Sequence, residues 1–180
     1  MANATASNTA FPRYNVSTPT RPFTFLLIED RQAQRDSLVQ ALHARGHHVM
    51  SVFEKQTADA YSQTRAQLVT HASANTPFDF MLLDIQFGDL DYGGIDIYNK
   101  LIDDGLRPYW RHTLVCSQYK DLLGPEGTVV EFFLKTAFIP FANYIAKHFR
   151  RDAELLHRID EIVSGGVKPL IVGVSAGQPI

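Results

Sequence analysis

The sequence predicts an α/β domain: a doubly wound parallel sheet of five strands with helices on both faces. Three observations carry that prediction. Short apolar segments alternate along the chain with amphipathic ones, the rhythm of successive β-α-β units. The apolar segments run with little polar interruption, as strands buried on both faces do. Several of them stop on a charged or hydroxyl residue, at the sheet edge where such folds collect their ligands.

The elements follow in order. TFLLI (24–28) is a short apolar run that ends in Glu29–Asp30. The next stretch carries Leu38, Ala41 and Leu42 at helical spacing, with Gly46 placed to stop the helix. HVMSVF (48–53) is a second strand, and residues 56–73 set Ala58, Tyr61, Leu68 and Ala72 on one helical face. FDFMLL (78–83) is a third strand, ending on Asp84. GIDIYNKLIDDG (94–105) reads as a helix stopped by Gly105. HTLVC (112–116) is a fourth strand, followed by Ser117; DLLGPEG gives at most a short helix and a turn. TVVEFFL (128–134) has the β-branched and aromatic content of a fifth strand, ending at Lys135. ELLHRIDEIV (154–163) closes the domain as an amphipathic helix. Right-handed crossovers between five such strands give the flavodoxin-like order 2-1-3-4-5.

The 180 residues, 45% apolar and 20% charged, suit one soluble domain large enough to need no disulfide or metal staple. Residues 1–22 are rich in Ala, Ser, Thr, Asn and Pro and read as a flexible tail, and 165–180 as a second tail or linker. A formal charge of −2 argues against a nucleic-acid footprint or an anionic membrane surface. The single cysteine, Cys116, and the lack of an apolar leader or a bilayer-length apolar run make the cytoplasm the expected compartment.

In the predicted fold, Glu29, Asp30, Asp84, Ser117 and Lys135 gather at one edge of the sheet. Three carboxylates there repel one another, and a hard divalent cation such as magnesium, with oxygen ligands and retained waters, relieves the repulsion. An aspartate in that setting can take a phosphoryl group onto its carboxylate. Such transfer asks for positioning and for neutralisation of the phosphoryl oxygens, which a cation, a lysine and a hydroxyl can supply.

With these residues in view, the chain resembles the receiver domains of two-component response regulators. The likeness rests on Glu29–Asp30 after LLI, Asp84 in LLD followed by GGID, Ser117 after TLVC and Lys135 in FFLKTAF, and it spans residues 23–164. It implies that Asp84 is the phosphoacceptor and that Glu29 and Asp30 hold Mg2+ together with Asp84 and the backbone carbonyl of Gln86. It implies further that Ser117 is the switch hydroxyl, Lys135 the phosphate-binding lysine and Phe132, three residues earlier, the switch aromatic. The donor would be a histidine kinase or a histidine phosphotransfer protein. The output would pass through the face of the fourth and fifth strands and last helix, to a downstream protein or an output domain beyond this chain. On that reading the chain is a signalling protein rather than an enzyme. The alternative is a pseudo-receiver that binds proteins without being phosphorylated.

The sequence departs from the family in ways that fall on the signalling face. Lys135 precedes Thr136 where proline is usual, and the span from Ser117 to Lys135 is short, implying a stunted or displaced fourth helix. Residues 138–150 read as an insertion or an extension of the last helix. Its aromatic run, Phe138, Phe141, Tyr144 and Phe149, either packs on the body of the domain or makes a homodimer or partner interface. In the C-terminal tail, Ile171, Val172, Gly173 and Ser175 faintly resemble the opening of the ATPase module of sigma-54-dependent activators, which would make the chain the front of a longer regulator.

Overall fold

The computed structural model describes residues 21–73, 77–88, 90–117, 125–146 and 151–164. Most of the N-terminal tail, Phe149 and the C-terminal tail lie outside them.

Five strands form one parallel sheet: β1 (Thr24–Ile28), β2 (His48–Val52), β3 (Phe78–Asp84), β4 (Trp110–Ser117) and β5 (Tyr144–Ala146), in the order 2-1-3-4-5. The helices are α1 (Gln32–His43), α2 (Thr57–Ser73), α3 (Gly93–Asp103), α4 (Pro125–Thr136) and α5 (Arg151–Val163). Register sets Ile28 beside Val52 on one side and Leu83 on the other, and Asp84 beside Cys116. The ends of β1, β3 and β4 are therefore level, which brings the polar residues at those ends together.

Strand side chains alternate between two apolar layers, as the pleat requires. Phe25, Leu27, Phe80, Leu82, Leu114 and Cys116 pack with Leu38 and Leu42 of α1 and Leu155, Ile159 and Ile162 of α5. Leu26, Ile28, Met81, Leu83 and Val115 pack with α2, α3 and α4 through Leu68, Tyr98, Leu101, Val130 and Phe133. All seven residues of β3 are buried, the condition of a central strand covered on both faces. Across the sheet, Asn143 ties three elements together: its Nδ2 donates to the Thr113 carbonyl at 2.9 Å and its Oδ1 accepts from Arg158 Nε of α5 at 2.9 Å. Among the described residues, no helix is long and apolar enough to cross a membrane.

The fifth strand is not where its composition put it. TVVEFFL lies inside α4, and β5 is the three-residue segment Tyr144–Ala146. Helical spacing explains the outcome. Val130, Phe133 and Leu134 are buried, whereas Val129 and Phe132 are exposed, a period of three to four rather than two. The crossover supplies the reason. A parallel pair needs a connection of about a dozen residues or more, and a strand starting at Thr128 would leave only ten after Ser117. The fourth helix is thus a full twelve residues, not stunted, and 138–150 contains the last strand in place of an insertion.

Candidate functional site

β1 delivers Glu29 and Asp30 as the first residues past its end, and β3 delivers Asp84 as its last. One carboxylate oxygen from each lies within 4.8 Å of the other two. Glu29 and Asp84 are almost wholly buried, each 1% exposed. Burial weakens the screening that water gives, so the mutual repulsion of such groups costs more here than on a surface.

Backbone amides fix the orientation of each acid. The Gln86 N–H donates to Asp84 Oδ1 at 3.1 Å, the Gly88 N–H to Asp30 Oδ2 at 3.1 Å, and the Arg31 N–H to Glu29 Oε1 at 3.2 Å. The loop after β3 folds tightly to make these contacts. Gly94 donates to the Ile85 carbonyl at 2.9 Å, and a Cβ at that position would meet the Asp84 carbonyl oxygen at 1.7 Å; no side chain fits there. Gly88 holds φ +65°, the left-handed region that glycine occupies without strain.

Among the described residues, buried Asp30 Oδ1 has no hydrogen-bond partner. A buried oxygen in that condition costs free energy unless a ligand completes it. Three carboxylates with one uncommitted oxygen make an all-oxygen donor set of the kind Mg2+ takes, so the residues fit the cation. Ser117 ends β4, fully buried, beside Ala146 of β5.

Two expected members are elsewhere. Lys135 stands in the last turn of α4, its side chain 61% exposed, and pairs with Glu131 at 2.6 Å. Phe132 is on the same helix and is 68% exposed. Neither is on a strand, because the segment they belong to is helical. The residue that follows β5 in the sequence is Lys147, and Tyr144 stands three before it. Lys147 itself lies outside the described residues. A lysine directly after a short apolar run, YIAK, was the available signal; three residues are too few for that run to announce itself as a strand.

No family model matches the chain, and no curated protein does. Solved structures do resemble it. A response regulator receiver domain protein (CheY-like) from Methanospirillum hungatei JF-1 superposes with a TM-score of 0.55 at 21% identity, over 81% of this chain and 96% of that one. The phosphorylated cyanobacterial phytochrome response regulator RcpA gives 0.56 at 17% identity, over 83% and 99%. The chemotaxis response regulator CheY4 of Vibrio cholerae gives 0.54 at 12% identity, over 79% and 99%. With strand order, helix placement and these superpositions in agreement, the chain has the fold of response regulator receiver domains.

Proposed function

We propose that residues 23–164 form a phosphoacceptor receiver domain, with Asp84 as the residue modified. The observation that carries this reading is the convergence of Glu29, Asp30 and Asp84 within 4.8 Å, with Asp30 Oδ1 left without a hydrogen-bond partner among the described residues. Acids crowded this way are a poor choice for stability alone and a good one for holding a cation against a phosphoryl group.

The donor is the phosphohistidine of a kinase or a phosphotransfer protein. An Asp84 carboxylate oxygen forms the new P–O bond as the donor's N–P bond breaks, and the electron pair of that bond leaves on the imidazole nitrogen. Glu29, Asp30, Asp84 and the Gln86 carbonyl would hold Mg2+, which supplies charge neutralisation at the phosphoryl oxygens. The Gln86 N–H orients the Asp84 carboxylate from within the loop. The Ser117 hydroxyl donates to a phosphoryl oxygen once it arrives, and Lys147 takes the role first given to Lys135. Tyr144 takes the place of Phe132 as the aromatic on the fifth strand. Output then passes through the face of β4, β5 and α5 to a downstream protein or an output domain.

The test is direct. Incubation with Mg2+ and a small acyl phosphate should add one phosphoryl group, stable in acid and labile in base, detected by intact-mass spectrometry. The adduct should vanish in Asp84→Asn and persist in Lys135→Ala. No adduct on the native chain, or an equal one in Asp84→Asn, would make the protein a pseudo-receiver that binds partners without phosphorylation.

A further inference from the structure

The order 2-1-3-4-5 makes β2 an edge strand, with β1 on one side only. The His48 N–H donates to the Phe23 carbonyl at 2.8 Å. His48, Met50 and Val52 therefore turn their backbone groups toward β1, and Ser51 and Phe53 turn theirs outward. An outward row of this kind is a template for another strand. The sequence there suits one. His48–Phe53, HVMSVF, holds no acid, lysine, arginine or proline, and Met50 and Phe53 are exposed. Uncharged, β-prone segments pair readily with copies of themselves.

Two side chains of α2 close this row. Gln63 Oε1 accepts from the Phe53 N–H at 2.9 Å, and Gln67 Nε2 donates to the Ser51 carbonyl at 3.5 Å. Spacing permits the match: four residues of helix rise about 6 Å, and two residues of strand about 6.6 Å. The pattern is that of a parallel ladder. A residue of a sixth strand beside Val52 would donate to the Ser51 carbonyl and accept from the Phe53 N–H. The two glutamine amides divide between them the bonds of one such residue. Gln67 is strained by the arrangement, since its Oε1 is buried with no hydrogen-bond partner among the described residues. Thr64 Oγ1 and His71 Nε2, on the same helix, are buried in the same condition. Atoms left this way raise the free energy of the seated helix, so this part of α2 lifts more easily than one resting on apolar contacts alone.

We propose that Gln63 and Gln67 act as a shutter over a latent pairing edge, and that the occupant they keep out is β2 of a second copy of the chain. The strand carries none of the usual devices that blunt an edge. It has no lysine or proline, and its register with β1 runs from Thr24–His48 to Ile28–Val52 without a bulge. No charge on His48–Phe53 opposes the approach of an identical segment. Two copies brought edge to edge about a two-fold axis run antiparallel, a closed contact that stops at two chains. The shutter does not depend on Asp84 being modified.

Amide hydrogen exchange on the full chain, with no phosphodonor present, reads the shutter separately from the phosphoacceptor reading. The Phe53 amide should exchange slowly although it faces outward from an edge strand. Gln63→Ala should speed its exchange at least about tenfold, and Gln63→Glu, which keeps an acceptor oxygen, should leave it within about threefold of the original. Alanine is the better helix former, so the Gln63→Ala, Gln67→Ala double variant retains α2. In sedimentation over a concentration series, that variant should self-associate at least about tenfold more strongly than the original chain. Ser51→Pro removes an outward N–H and leaves the β1 ladder intact, so adding it should return the double variant to the original behaviour. A Phe53 amide that exchanges freely in the original chain, or that ignores Gln63→Ala, overturns the proposal. So does a double variant that sediments like the original up to about 1 mM, or one whose association survives Ser51→Pro.

Discussion

Strand β3 carries a buried carboxylate at each end, and the surroundings of the two are opposite in kind. At the amino end, Asp79 is held by cations and donors. Arg21 Nη2 donates at 2.7 Å, the Thr24 N–H at 2.9 Å and the Thr24 hydroxyl at 3.2 Å, and Arg111 stands 3.8 Å away. At the carboxyl end, Asp84 is crowded by two further carboxylates, one of which has an oxygen with no hydrogen-bond partner among the described residues. The first arrangement fastens β1 to β3 through groups that satisfy one another. The second concentrates like charge where a fold maximising its stability would not. One strand therefore shows what an acid does for the fold and what it is kept for otherwise.

Substituting the two acids separates these roles, and the largest effect is expected here. Asp79→Ala strips the acceptor from Arg21 and from both Thr24 donors. It should cost about 2–3 kcal/mol in denaturant-induced unfolding, with the slope unchanged. Asp84→Asn removes one of three like charges while the amide oxygen can still accept from Gln86. It should leave stability unchanged or raise it by up to ~1 kcal/mol. A loss at Asp84 as large as that at Asp79 would show that the carboxyl-end cluster is structural after all.

The sequence was readable at the carboxyl end of β3, left Asp79 at the amino end unremarked, and failed in the stretch after β4. Long apolar runs betrayed β1, β3 and β4, and with them Glu29, Asp30, Asp84 and Ser117, because a residue at the end of a recognisable strand inherits a recognisable place. Gly46 and Gly105 announced where α1 and α3 stop. The same stop after α4 is made by Phe138, which carries no such signal. TVVEFFL then looked like a strand, since β-branched and aromatic residues favour one, while the burial of Val130, Phe133 and Leu134 makes it a helix. The real β5 was invisible for the converse reason: three residues show neither length nor alternation. Lys135 was misplaced with the strand it was thought to end.

The amino end of the sheet also makes a prediction about acid. Phe25 and Phe80 stack at 4.9 Å, with His47 against Phe25 and His112 against Phe80, both at 5.3 Å. The Phe23 N–H donates to His47 Nδ1 at 3.4 Å, so that nitrogen is an acceptor and the ring is neutral. Burial first, then the Arg45 charge, holds the His47 pKa below the ordinary 6.5, with Asp160 and Asp79 opposing and His48 adding to the fall. His112 is lowered likewise by burial, then by Arg107 and Arg111, with Asp79 opposing. Both histidines thus take up protons more readily when the chain is unfolded. Their contribution to stability is fully present above pH 6.5 and is lost as pH falls toward their folded values. His47 can add at most ~1.4 kcal/mol per pH unit to that slope. Thermal midpoints measured from pH 7.5 down to 5 should fall, and His47→Gln, which keeps an acceptor for Phe23, should flatten the fall. An unchanged slope in that variant would move the acid sensitivity away from His47 and leave His112 to account for it.

The smallest effect sharpens what satisfies Asp79. Two arginines approach it, and both are 54% exposed, so water screens each of them. They differ in geometry. Arg21 places a nitrogen at hydrogen-bond distance from each Asp79 oxygen, 2.7 and 3.4 Å, and lays its guanidinium 4.7 Å from the centre of the Phe23 ring. Arg111 makes only the 3.8 Å approach. Forked hydrogen bonding with an aromatic beneath it is the arrangement in which arginine is hardest to replace. Arg21→Met should therefore cost about 1 kcal/mol and Arg111→Met no more than about 0.3 kcal/mol, read as shifts in the denaturant midpoint. Equal costs would mean that Asp79 responds to net positive charge alone. In that case the contrast between the two ends of β3 would reduce to the sign of the neighbouring charges, with hydrogen-bond geometry adding nothing.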